Sequence, residues 1–166
     1  MDETYIGGKE RNKHADKKLH AGPHAGKTAV VGMKDRDSGK VAAEVVNRTD
    51  AESLQGFVED FTESDATIYT DEARAYLGLP NHETVKHSVG EYVRDMAHTN
   101  GVESFWAMLK RGYVGTFHHM SPKHLDRYVI EFEGRHNSRP LDTEDQMAAM
   151  ARGLMGKRLQ YSDLIA

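Results

Sequence analysis

The chain has 166 residues, no cysteine and a formal net charge of −4. That length buries a core of normal size as one domain or one domain with a short appendage, and the missing cysteines exclude disulfides, a Cys-based zinc ribbon and a thiol nucleophile. No run of about 18 apolar residues and no apolar signal core is present, which predicts a soluble, cytoplasmic protein with no membrane span.

Met1 is followed by Asp2-Glu-Thr-Tyr-Ile-Gly-Gly-Lys9, an acidic pair on a strand that ends in Gly-Gly. Residues 7–26 are rich in Gly, His and Lys without an apolar period and read as a basic loop. Residues 28–33 and Val41–Val46 flank the turn at 35–40 and predict a hairpin. Thr49-x-x-Glu52 is a capping box opening an amphipathic helix with Leu54, Phe57, Val58 and Phe61 on one face. A β-rich run, Ala66–Thr70, stops at Asp71; a short helix to about Leu77, a turn at 78–80 and a strand at 84–87 follow. From Thr99 the pattern is helical: residues 100–111, a second helix with Ser121 as N-cap and Pro122 at its first position running to about His136, and a third over 143–155. Hairpin strands first and crossovers later predict an α/β fold with a mixed sheet flanked by helices.

Charge along this order is polarised. Residues 9–40 hold nine Lys/Arg against four Asp/Glu, residues 41–72 one against nine, and residues 107–140 six against three. Such a distribution can guide a phosphate backbone to one face.

Three acids stand at places where chemistry is expected. Asp2 belongs to the acidic pair of the first strand. Asp71 follows directly on an apolar strand, at the carboxyl end where α/β folds place their sites, and it can also cap the turn after it. Glu103 shares a helix with Val102, Phe105, Trp106 and Leu109, and lies in line with Lys110 seven residues on. Asn100-x-x-Glu103 also has the form of a capping box. Separate carboxylates brought together suit hard divalent cations, and two such ions can act on a phosphodiester. His118, His119, His124 and His136 cluster in the sequence, but two are adjacent and no HExxH spacing exists, so phosphate contact or surface placement fits better than a zinc site.

The segments 2–9, Tyr69-Thr-Asp-Glu72, His98-Thr-Asn-Gly-Val-Glu-Ser-Phe-Trp106 with Leu109-Lys-Arg111, and residues 115–128 continuing through Arg135-His-Asn-Ser-Arg139 together resemble the ISXO-like subgroup of bacterial insertion-sequence transposases. The resemblance covers about residues 2–139. It implies an RNase H-like catalytic domain over 1–139, with a C-terminal helical tail over 140–166. It implies a DDE triad of Asp2, Asp71 and Glu103 holding Mg²⁺ or Mn²⁺, two ions in all, with Asn100 as a minor alternative third ligand. The implied reaction is cleavage at element ends and transfer of the 3′-hydroxyl into target DNA, in a homo-oligomeric complex. Lys110 is expected to contact the transposon end. The wider DNA-contact set is Lys9, Arg11, Lys13, His98, Asn100, Arg111, His119, Lys123, Arg135 and Arg139. The family's preceding zinc ribbon is missing, and Met1 directly before Asp2 leads to the expectation of a shortened first strand. A non-catalytic DNA-binding remnant and a host nuclease of the same fold are the rival readings.

Overall fold

The computed structural model describes residues 1–19, 21–71, 74–84 and 100–165. It is a mixed α/β fold. Strands β1 (Asp2–Ile6), β2 (Thr28–Lys34) and β3 (Val41–Val46) form an antiparallel sheet in that order. β4 (Ile68–Thr70) and β5 (His82–Thr84) pair in parallel. A hydrogen bond from the Met1 nitrogen to the Tyr69 carbonyl, 2.6 Å long, ties the start of β1 to β4. The helices are α1 (Ala51–Phe61), α2 (Asn100–Gly112), α3 (Leu125–Asn137), α4 (Thr143–Leu154) and α5 (Tyr161–Ile165).

β2 organises the core. Successive strand residues face opposite sides of a sheet, and Val30 and Val31 are both fully buried. Val30 packs with Val102, Phe105 and Leu109 of α2 and Val129 of α3. Val31 packs with Leu54, Phe57 and Val58 of α1, and with Ile68 and Tyr76. A strand covered on both faces explains the unbroken apolar run that the sequence shows there. Gly32 completes it, because an added Cβ would lie 2.6 Å from Cη2 of Trp106.

The outer edge of β3 is covered by α3 through side chains. The Asn137 carboxamide accepts from the Val41 N–H and donates to the Val41 carbonyl, both at 2.8 Å. Glu133 accepts from the Ala43 N–H at 3.3 Å. Together they pair a strand edge that would otherwise invite another chain.

Several boundaries differ from the expectations. The cap of α1 is Asp50, which accepts from the Ser53 N–H, while the Thr49 hydroxyl pairs with that of Tyr5 at 3.4 Å. Phe61 is 51% exposed rather than on the buried face. The basic loop contains two 3₁₀ turns, Glu10–Asn12 and Ala15–Lys17. The short helix after Asp71 is a 3₁₀ turn at Arg74–Tyr76, and the next strand runs His82–Thr84, residues 85–87 lying outside the described ones. Pro122–His124 opens as a 3₁₀ turn before α3, without a side-chain cap from Ser121. The π-helix Tyr113–Phe117 and helix α5 have no counterpart in the sequence reading. α4 contains no buried residue, and α5 is held to α3 and the turn before it by Arg127 to the Asp163 carbonyl (2.9 Å) and Lys123 to the Ile165 carbonyl (3.2 Å).

Candidate metal centre

Strand pairing builds the site. Asp2 opens β1 and Asp71 follows the last residue of β4, so the Met1–Tyr69 bond that aligns the strands brings these acids side by side. Asp2, Glu3 and Asp71 each offer a carboxylate oxygen, and the three atoms lie within 4.8 Å of one another. All three residues are half-buried. Burial raises the pKa of Asp2 above the usual carboxylate range; the nearby Asp71 charge adds to the rise, and the backbone and Trp106 hydrogen bonds oppose it. Burial also raises Glu3, opposed by the Tyr76 hydroxyl facing it.

The surroundings hold these acids in place. Trp106 Nε1 donates to Asp2 Oδ2 at 3.0 Å, fastening α2 to β1. Thr70 is buried, donates to the Asp71 carbonyl at 2.8 Å, and lies 2.6 Å from Nε2 of His82. Arg36, in the β2–β3 turn at the same end of the sheet, stacks 3.9 Å above the Tyr69 ring.

Of the expected triad, Asp2 and Asp71 come together. Glu103 lies on the first turn of α2, exposed and outside the group, one turn before Trp106. Glu3 stands in the group instead. Its strand position argued against it, because neighbours on a strand point to opposite faces. Asp2 meets Trp106 of α2 and Glu3 faces Tyr76, yet each brings a carboxylate oxygen within 4.8 Å of the other and of Asp71. The Trp106–Asp2 bond was equally hidden, since helical periodicity marks Trp106 as core and says nothing of its N–H.

The expected basic residues separate into two places. Lys9, Arg11 and Lys13 follow Ile6, at the other end of β1 from Asp2. The strand itself separates the two ends by roughly 14 Å. The basic front of the chain therefore leaves the sheet at the end away from Asp2. Lys13 pairs with Glu10 at 2.6 Å, and the loop packs beside the far end of β1, with His24 stacked on Tyr5 at 3.8 Å between ring centres. Lys110 and Arg111 end α2, both exposed. Arg111 and Arg135 line one open cleft of about 310 Å³ with Thr116, Phe117 and Phe132. The Arg139 guanidinium reaches Met108 Sδ at 3.4 Å. His119 is exposed just after His118, which adopts a left-handed backbone at φ 57°. His98 and the side chain of Asn100 lie outside the described residues.

A model of the ISXO2-like transposase domain family matches residues 1–137. The chain belongs to this family. Comparisons with curated proteins and with solved structures gave no match. The transposase domain so defined ends at Asn137, the residue whose side chain clasps Val41. The family boundary is therefore also where the last core helix closes on the sheet. α4 and α5 lie beyond the matched residues. Among the described residues no helix is long and apolar enough to cross a membrane.

Proposed function

We propose that this transposase domain cleaves phosphodiesters at insertion-sequence ends and transfers the 3′-hydroxyl into target DNA, on an RNase H-like core and as a homo-oligomer, with Asp2, Asp71 and Glu103 as its DDE acids. The observation that carries this reading is the convergence of Asp2 and Asp71 from separate strands. Carboxylate oxygens within 4.8 Å of one another are the donor set that Mg²⁺ or Mn²⁺ takes, and no softer ligand is among them. Bound there, such ions supply charge neutralisation at the phosphate and an activated oxygen nucleophile.

The chain's own residues then orient. Trp106 holds Asp2 on the α2 side of the sheet. Glu103 and Trp106 are one turn apart on that helix, and residues so spaced have Cβ atoms about 5–6 Å apart. Glu103 is therefore carried on the helix that Trp106 fastens to Asp2. Arg36 stands at the same end of the sheet, fixed on Tyr69, and is placed to meet a phosphate. Arg111 near the end of α2 and Arg135 on α3 offer a second phosphate contact where they line one cleft.

The test is Mg²⁺- or Mn²⁺-dependent cleavage and strand transfer on DNA bearing the element's ends, with Asp71→Ala as the inactive control. Full activity in that variant would overturn the reading. The exposed position of Glu103 outside the carboxylate group favours a second reading, DNA binding without chemistry. Salt-sensitive DNA binding by a folded sample with no metal-dependent product would select it.

A further inference from the structure

We propose that Glu3, positioned by the hydroxyl of Tyr76, is a working ligand of the divalent-cation site formed with Asp2 and Asp71. The inference rests on the metal-site reading above and adds a ligand and a positioning residue to it.

Two independent features lead to it. One is the carboxylate geometry, in which Glu3 contributes an oxygen as close as those of the two aspartates. The other is Tyr76. Its side chain is fully buried, at 0% exposure, between α1 and the sheet. Among the described residues its hydroxyl has no hydrogen-bond partner of ordinary geometry. It faces Glu3: burial chiefly raises its pKa, and the charge of Glu3 and a long hydrogen bond toward it, then the charges of Asp71 and Asp2, add to the rise. A tyrosine whose only task is packing needs no hydroxyl at such a place, and Phe would fill it without burying an unsatisfied polar group.

A single cation satisfies all the parties. It neutralises three half-buried carboxylates that repel one another when ionised. With Glu3 held ionised, the Tyr76 O–H gains a charged acceptor, and a hydrogen bond to an ionised group is among the stronger ones. Such an outer donor fixes which oxygen of the carboxylate turns to the metal. Asp71 directly follows β4, and Tyr76 closes the 3₁₀ turn Arg74–Tyr76.

The probe is Mn²⁺ alone, titrated calorimetrically into the full-length chain without DNA. We expect Glu3→Gln and Tyr76→Phe each to weaken Mn²⁺ binding by about ten-fold or more. Metal-free Tyr76→Phe should keep the wild-type fold by circular dichroism, so that a change in affinity reports the lost hydroxyl. Asp71→Asn serves as the control for the site itself. Loss of Mn²⁺ binding in Asp71→Asn with wild-type affinity in both other variants overturns this inference and leaves the proposed function standing. Wild-type affinity in Tyr76→Phe alone overturns the positioning role. Absence of Mn²⁺ binding by the wild-type chain overturns both. If Glu3→Gln fails to fold by circular dichroism, Tyr76→Phe decides.

Discussion

Trp106 and Asp2 are joined across 104 residues by a 3.0 Å hydrogen bond from indole to carboxylate. The bond keys the helix that carries Glu103 to the strand that carries Asp2. It also couples the buried core to the acids, since the same indole closes over Gly32 opposite Asp2. Removing the donor while keeping most of the ring tests this coupling. Trp106→Phe should destabilise the chain by about 1–3 kcal/mol, the range for leaving a partly buried group unpaired. It should also raise the Asp2 pKa further, because the indole is one of the groups that lower it. Urea denaturation reads the first effect and NMR titration of Asp2 the second. An unmoved Asp2 pKa would sever the link between core and site.

Gly32→Ala approaches the same relationship from the strand. The new Cβ would lie 2.6 Å from Trp106 Cη2 and 2.8 Å from Cζ2, so a packed indole would have to move. Overpacking of this kind costs about 1–3 kcal/mol. The shift should carry Nε1 away from Asp2, so the variant should share the raised Asp2 pKa of Trp106→Phe. Stability loss without that pKa change would mean that the strand, not the ring, had given way.

The elements that were legible in the sequence are those whose pattern is local. The β2–β3 hairpin and the apolar face of α2 follow from residue spacing alone. The cap of α1 did not, for a physical reason. Thr49-x-x-Glu52 is a purely local signal, and a long-range partner, the Tyr5 hydroxyl, engages Thr49 while Asp50 caps the helix. The site was half legible by the same rule. Asp2 and Asp71 stand at strand ends that a pattern reveals. Glu3 enters through a three-way proximity with Asp2 and Asp71 that no local pattern encodes, and the place of the basic loop depends on which way β1 runs.

Glu133 gives the chain a pH dependence that does not involve the acids of the site. Burial under β3 raises its pKa above the usual carboxylate range, opposed by the hydrogen bond from Ala43. Between the ordinary carboxylate pKa and the raised one, the folded chain binds more protons than the unfolded chain, so this group's contribution falls as pH rises. Glu133→Gln keeps an acceptor for the Ala43 N–H and removes the charge. The variant should therefore be more stable than wild type at neutral pH, and its advantage should shrink as pH falls through the raised pKa toward the ordinary carboxylate value, with no further change below it. Paired chemical denaturation curves across pH 3–8 check this. A wild-type chain that is the more stable of the two at neutral pH would contradict it.

Asn137→Ala should open the edge of β3. It deletes both hydrogen bonds to Val41, and each unpaired backbone group costs about 1–3 kcal/mol if it stays out of water. Local opening at the end of α3 relieves part of that cost. The signature is loss of hydrogen-exchange protection at the Val41 amide, together with greater self-association through the freed edge. Unchanged protection at Val41 would show that the edge is covered by other means.

The two basic regions make opposite predictions about DNA. The loop with Lys9 and Arg11 leaves the sheet at the Ile6 end and packs on the face of Tyr5, whose hydroxyl meets Thr49 before α1. Asp2 faces the other way, toward α2. The α2 helix runs down that face, from Gly101 against Lys34 at the carboxylate end to Lys110 and Arg111. Glu103 and Arg111 are eight residues apart, roughly 12 Å along the axis, or about four base-pair steps of DNA. A duplex engaged by the acids is thus expected to meet the Arg111–Arg135 cleft and to miss the loop. Each phosphate contact contributes about −0.9 to the slope of log K against log salt. Arg111→Ala with Arg135→Ala should therefore flatten that slope by about 1.8 for DNA bearing the element's ends, whereas Lys9→Ala with Arg11→Ala should leave it unchanged. If the loop substitutions flatten the slope and the cleft substitutions do not, the DNA lies on the α1 face and the direction assigned to it here is reversed.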